Sequence, residues 1–380
     1  MESAAVVTPP YAAGPLRLAP FRAIRLAPAR VGDPASARAL ARPYRDVAKR
    51  LRQWEERGQL VRDAEPALYL HEYTASGITV RALVGTVDVS RRATGTTPRA
   101  ILPHEGIYPA QADDLADRME QMQVNPAPIL LVQHSPAPLR ALLAQVRADA
   151  PADHQFTDRV DHAHRIWAIT DDQVLCRVDE LLGPTSAVIA DGHHRYAAYL
   201  RLQQRAPGGP ADRGLAMVVD QDDTPLFLGA IHRVLVGTSV RDVASAAASL
   251  GISAWPAAPD DAVAALGPGH LVATDGESWL VVRVEPAGDQ VEVEVLHDAL
   301  VPALGHGPTR ISYHHSVTDT LEHVTPRHGT AVLLPAPTVD QVQGVVEAGR
   351  LFPEKATSFQ PKPAFGAFIR SWRDEPPAPS

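Results

Sequence analysis

The stretch AVIADGHHRYAAYL, residues 187–200, sets Asp191, Gly192, His193, His194 and Arg195 between an apolar run and a helix-like segment. The apolar run reads as the end of a buried strand and Asp-Gly as a tight turn. His193, His194 and Arg195 then fall in or near a first helical turn, where free N–H groups and the helix dipole favour an anion and disfavour cations. Three basic or potentially basic groups crowded there predict a bound phosphate or carboxylate. Asp191 has three chemical uses at such a place: ordering an imidazole, ligating a metal, or accepting a proton from a substrate hydroxyl. The competing expectation is a solvated polar turn with Asp191 as the helix cap. Adjacent residues on a helix diverge by about 100°, so His193 and His194 do not suit a chelating pair.

Two further segments carry chemistry. LPHEGIY places His104 and Glu105 where a strand meets a turn, and a carboxylate beside an imidazole suits a base or a group orienting metal-bound water. PEKATSFQPK, residues 353–362, offers Lys355, Thr357, Ser358 and Lys362 in a proline-bounded loop. Of 36 basic residues only Lys49, Lys355 and Lys362 are lysine. A chain that otherwise uses arginine keeps lysine where its compact ammonium is needed, which makes this loop a second candidate anion clamp. His232-Arg233 and His314-His315 lie in strand-like segments and read as structural residues. His162 and His164 alternate along DHAHRIW and share a face. Walker-type glycine loops, GxGxxG and GxSxG are absent from the sequence.

The elements that must position these groups alternate. PYRDVAKRLRQWEERGQLV predicts an amphipathic helix with Val47, Leu51 and Trp54 on one face and Gly58 at its end. PALYLHEYTASGITVRALVGTVDV predicts a hairpin about Ser76-Gly77. Strand, turn and helix follow in RAILPHEGIYPAQADDLADRMEQM. HAHRIWAIT reads as a strand, DDQVLCRVDELL as a helix, and SAVIA as a short buried strand before the Asp-Gly turn. Downstream, LAMVVD and PLFLGAIHRVLV are expected strands and VRDVASAAASLG a helix. HLVATDGESWLVVRV is a hairpin at Asp275-Gly276, and AVLLPA precedes a capping box at Thr338. This pattern predicts a mixed α/β (α+β) protein without internal repeats.

With 380 residues, 45% of them hydrophobic and 21% charged, the chain is long enough for a large core and an appended lobe. The Pro/Ala/Ser-rich ends, 1–18 and 374–380, are expected to be disordered tails around a single unit, 19–373. A net charge of −8 argues against nucleic acid as a partner. No apolar run approaches a membrane span, and the start lacks the pattern of a secretory signal. The lone Cys176 sits in an ordinary helix pattern and fits a reducing cytoplasm. The expected partner is a small-molecule substrate, with the oligomeric state left open.

Taken in order, several segments resemble the domain-of-unknown-function family 1015. They are FRAIRLAPARVGD (21–33), GQLVRDAEPALYLHE (58–72), LPHE (102–105), NPAPI (125–129), HRIWAITD (164–171), IADGHHRYAAYL (189–200), HRVL (232–235) and PEKATSFQPKPAFGAFI (353–369). That family resembles free serine kinases of the ParB/sulfiredoxin-like superfamily. The resemblance implies a ParB/sulfiredoxin-like core at about residues 100–235 and a further α+β C-terminal lobe at about 236–373. It also implies transfer of phosphate from pyrophosphate, ADP or ATP to the hydroxyl of L-serine or a related hydroxy amino acid, with Mg²⁺. His193, His194 and Arg195 would hold donor phosphate, with Lys355, Thr357 and Lys362 closing over it. Glu105 or Asp191, beside His104, would be the base or the magnesium ligand. Where the family pattern has a threonine and basic residues after PHE, this chain has Ile107, Ala112, Leu115 and Glu120. The alternative function is therefore a non-catalytic sensor of a phosphorylated metabolite or nucleotide.

Overall fold

The protein is described here from a computed structural model covering residues 6–41, 47–288, 290–353 and 355–374. The chain forms two compact units, residues 1–226 with 361–380, and residues 227–360. Both mix helices and sheets, so the class is mixed α/β as expected. No helix among the described residues is long and apolar enough to cross a membrane.

A ten-stranded sheet organises the first unit. Its order is Ala12–Ala13, Arg99–Leu102, Ala187–Asp191, Ile129–Gln133, Arg213–Asp220, Ile78–Asp88, Leu68–Ala75, Ala163–Ile169 and His154–Thr157, with Leu18–Ala19 added beside Ile78–Asp88. Two neighbouring pairs are parallel, Ala187–Asp191 with Arg99–Leu102 and Arg213–Asp220 with Ile129–Gln133, and every other pairing is antiparallel. The predicted hairpin turns at Ser76 and Gly77, whose φ angles of 51° and 79° match the twist of the strands they join. Leu70, Leu83, Leu131, Ile189 and Val218 bury their side chains together with those of helix residues Met119, Tyr196 and Leu200. The helices Pro109–Met122 and His193–Arg205 pack on each other. Ile107, Ala112 and Ala197 form a small apolar cluster there, and Arg205 pairs with Asp117 and Glu120 at 2.7 and 2.9 Å.

A second sheet of this unit orders Leu60–Arg62, Ala23–Leu26, Ile369–Ser371 and Val124–Asn125. The returning strand is pinned by Arg370. Its buried guanidinium donates to Asn125 Oδ1 at 2.8 Å and to the carbonyls of Arg213 and Pro210 at 2.5 and 2.7 Å. The last residues therefore complete the first unit, whereas the sequence assigned everything from 236 to 373 to a C-terminal lobe. The same sheet-building corrects the expected N-terminal tail. Within residues 6–18, Ala12, Leu16 and Leu18 are buried and Ala12–Ala13 pairs with Arg99–Leu102. Residues 1–5 and 375–380 lie outside the described residues, and Asp374, placed in the C-terminal tail, pairs with Arg62.

The second unit holds an antiparallel six-stranded sheet ordered Ser253–Pro256, Trp279–Arg283, His270–Thr274, Gly329–Leu333, His232–Val236 and Arg310–His314. PLFLGAIHRVLV, expected as one strand, divides. Phe227–Gly229 pairs with Ser358–Gln360 while His232–Val236 enters the larger sheet, because each half finds a different partner. The Thr338 capping box forms as its residue types require.

Gly214 marks where the helix His193–Arg205 is seated on the first sheet. A Cβ there would lie 2.2 Å from the Tyr199 ring, whose hydroxyl donates to the Leu215 carbonyl at 3.2 Å. Gly214→Ala is expected to lose about 1–3 kcal/mol through overpacking, read as a lowered denaturant midpoint. Wild-type stability in that variant would mean that the ring is not held against the strand.

Candidate functional site

Two strand ends build the site. Ala187–Asp191 pairs in parallel with Arg99–Leu102, Val188 facing Leu102, so Asp191 and Glu105 both follow that pair at the same end of the sheet. Parallel pairing thus brings both predicted turns to one end of the sheet, each leading into one of the two packed helices. Ala187, Val188, Ile189 and Ala190 are all buried, which fixes where their strand ends. Gly192 follows with φ 96° and caps the helix His193–Arg205 without a side-chain hydrogen bond, so Asp191 is not the cap. Arg195 folds back over this glycine, and a Cβ at Gly192 would meet its guanidinium at 3.0 Å. Only glycine meets both demands.

The two histidines face the other turn. His193 Nε2 accepts the backbone N–H of His104 at 3.3 Å, and His194 Nε2 accepts that of Tyr108 at 3.1 Å. The His104 and His193 rings meet edge to face at 4.6 Å. Burial, reinforced by the neighbouring His104, His194 and Arg195, holds the His193 pKa well below its usual value. Burial likewise lowers that of His104 to about 4, a hydrogen bond to the Ile189 backbone working the other way. His193 and His104 are neutral rings at pH 7, and the Nε2 atoms of His193 and His194 stitch the His104–Tyr108 turn to the first turn of the helix. Glu105 is half-buried, with a carboxylate oxygen 3.7 Å from His104 Nε2.

The charges gather on Asp191. Arg195 donates to its Oδ2 at 2.5 Å and also binds the Pro128 carbonyl. Lys362 donates to Oδ1 at 2.6 Å. Both carboxylate oxygens therefore carry a cation, and this trio holds one positive charge in excess at the amino end of a helix. Lys362 is kept there by the return of the chain: the Tyr73 hydroxyl donates to the preceding Pro361 carbonyl at 2.7 Å. Lys362 remains half-exposed, so its ammonium can turn toward a solute.

His104, Glu105, Asp191, His193, His194, Arg195 and Lys362 thus share the first unit and one end of its sheet. Lys355 and Thr357 belong to the second unit, Lys355 being exposed with φ 55°. Sequence reasoning missed two contributors, the Pro128 carbonyl and the Tyr108 amide, because backbone groups carry no residue-type signal. The Glu105 carboxylate is a hard oxygen donor of the kind Mg²⁺ takes in ones and twos beside substrate phosphates, and in that respect it fits the ion, whereas both Asp191 oxygens are already paired with cations. The His232-Arg233 pair is held by structural contacts, as expected. His232 Nδ1 accepts the Leu334 N–H at 3.1 Å, and the fully buried Arg233 reaches His297. His162 and His164 both approach Asp158, and His164 also meets His71 at 2.9 Å, a partner the sequence did not suggest.

The family model described as "Protein of unknown function (DUF1015)" matches residues 5–289. No curated protein matches. Among solved structures, a free serine kinase in complex with AMP superposes with a TM-score of 0.41 at 15% identity, covering 71% of this chain and 87% of its own. A conserved hypothetical protein from Pyrococcus furiosus gives 0.39 at 16% identity, covering 72% and 94%. SbnI with a C-terminal truncation, from Staphylococcus aureus, gives 0.41 at 12%, covering 71% and 83%.

A testable consequence follows from the buried His104. The ring titrates near 6.5 in the unfolded chain and at about 4 in the fold, so between those values the unfolded state binds more protons. Acidification through this window favours unfolding, and above pH 6.5 the effect is gone. The stability advantage of wild type over His104→Gln is expected to shrink by up to about 3 kcal/mol between neutral pH and the acid end of that window. A difference that does not change with pH in denaturant titrations would show that the ring is not held neutral by burial.

Proposed function

The chain belongs to the DUF1015 family, and we propose that it is a small-molecule phosphotransferase acting on the hydroxyl of L-serine or a related hydroxy amino acid. The observation that carries this is the bracketing of Asp191 by Arg195 and Lys362 at the amino end of a helix. An excess cation at the positive end of a helix dipole is favourable when an anion joins it, and phosphate oxygens supply that charge. The sequence resemblance to free serine kinases points to the same chemistry.

Arg195 and Lys362 hold the donor's transferred phosphoryl group, Arg195 being already fixed by Asp191 and Pro128. His193 and His194 act through the turn they tie down rather than as cations. Asp191 is a poor proton acceptor because a cation sits on each oxygen, so the base is Glu105. Glu105 takes the proton of the acceptor hydroxyl as its oxygen bonds to phosphorus. The bond from phosphorus to the donor's bridging oxygen breaks, and phosphate or the shortened nucleotide leaves with the electron pair. Bound Mg²⁺ would supply neutralising charge at the phosphate oxygens, and Glu105 offers it a second carboxylate oxygen, both oxygens of Asp191 being already paired. All of these residues lie in the first unit.

One observation favours the second reading, a sensor that binds phosphate without transferring it. Ile107 and Ala112, where the family pattern carries a threonine and basic residues, are buried against Ala197 and face apolar packing. The deciding experiment is ³¹P NMR of the protein with Mg²⁺ and L-serine, offered pyrophosphate, ADP and ATP separately. A phosphoserine signal is expected with one donor, falling about 10²- to 10⁴-fold in rate in Glu105→Gln and disappearing in Arg195→Ala. A donor resonance that shifts or broadens without product would establish the sensor instead. Silence with all three would overturn both.

A further inference from the structure

We propose that the second unit carries a site for a nitrogen-preferring divalent transition metal, Zn²⁺ being the type ion, formed by His314, Asp319 and His323. His314 is the last residue of the strand Arg310–His314. Ser316 caps the helix Val317–Glu322, its hydroxyl accepting the Asp319 N–H at 3.1 Å, so Asp319 stands in the first helical turn. His323 follows the helix four residues on, the spacing that puts two side chains on one face. Strand end and helix face therefore converge, and one ligand atom from each residue can be chosen so that all lie within 4.8 Å of one another.

The contacts already have the order of a coordination set. His314 Nδ1 lies 2.8 Å from Asp319 Oδ2 and His323 Nδ1 lies 3.7 Å from Oδ1, with the two rings 4.4 Å apart. The other nitrogen of His314 is 3.0 Å from Ser312 Oγ. A hydroxyl can donate to that nitrogen or accept from it, so it supports either tautomer. With a metal on Nδ1, Nε2–H donates to Ser312, the outer hydrogen bond that orients a ligating imidazole. His323 Nδ1, which faces the Asp319 carbonyl at 2.7 Å, gives up that contact for the ion.

Charge points the same way. Among the described residues neither lysine nor arginine pairs with Asp319, and its companions are the two imidazoles alone. A divalent cation would bring this carboxylate a counter-charge held by the ligand set itself. Two imidazoles and one carboxylate select Zn²⁺, Ni²⁺ or Cu²⁺ over Mg²⁺ or Ca²⁺, and three protein ligands leave a position for water or another molecule. Asp319 and His323 are about half-exposed, which gives the ion an entry path.

The test uses the full chain without a histidine tag, stripped with chelator and titrated with Zn²⁺ by calorimetry and with Co²⁺ by visible absorption. One equivalent of Zn²⁺ is expected, with Co²⁺ ligand-field bands that Zn²⁺ abolishes and millimolar Mg²⁺ leaves alone. His323→Ala, a substitution at an exposed position, should remove that equivalent with the circular dichroism spectrum unchanged. Asp319→Asn should weaken binding by about tenfold or more. Zn²⁺ stoichiometry and affinity equal in wild type and both variants would overturn the proposal, as would Mg²⁺ displacing Co²⁺. None of these ligands belongs to the Asp191 site, so the outcome is separable from the phosphotransferase test.

Discussion

The parallel pairing of Ala187–Asp191 with Arg99–Leu102 is the constraint from which the candidate site follows. Parallel neighbours end together, so the turns that carry Glu105 and Asp191 leave the same end of the sheet although their positions in the chain are far apart. An antiparallel pairing of the same strands would send the two turns to opposite ends of the sheet.

That junction is held by polar contacts of two kinds. The inner kind is neutral: the buried His193 and the half-buried His194 accept backbone amides of the neighbouring turn, and a ring nitrogen can accept only while it carries no proton. The outer kind is ionic, with Asp191 between Arg195 and Lys362 in contact with solvent. Pairs so exposed contribute little to stability, typically about 1 kcal/mol or less, so the cluster is a weak brace. The division of labour explains why a run of basic residue types at the helix start does not put a run of positive charge there.

The chain's return to its first unit is the second organising event. Arg370, buried and satisfied by Asn125 and two backbone carbonyls, fixes a strand between segments from near the start and the middle of the sequence. Lys362 reaches Asp191 because of that anchoring. The lysine-poor composition had already singled it out, but Lys355, chosen by the same criterion, belongs to the other unit. In the second unit, the convergence of His314 with Asp319 and His323 again depends on a strand end meeting a helix face.

What the sequence determined by itself was local. Apolar periodicity located the Val47–Glu56 and His193–Arg205 helices, Ser76-Gly77 and Asp275-Gly276 located the hairpins, and Asp-Gly followed by basic residues located the principal turn. These features depend on neighbours a few residues apart, and residue type encodes them directly. Tertiary structure alone decided which strands lie parallel, that Asp191 pairs with Arg195 and Lys362, and that His193 and His194 accept backbone amides. It also decided that residues 6–18 join the core, that PLFLGAIHRVLV divides between two sheets, and that residues 361–374 rejoin the first unit. Each of these depends on a partner far away in the chain, often a backbone carbonyl or amide that every residue possesses. A linear sequence states which groups are available, and only packing states which of them meet.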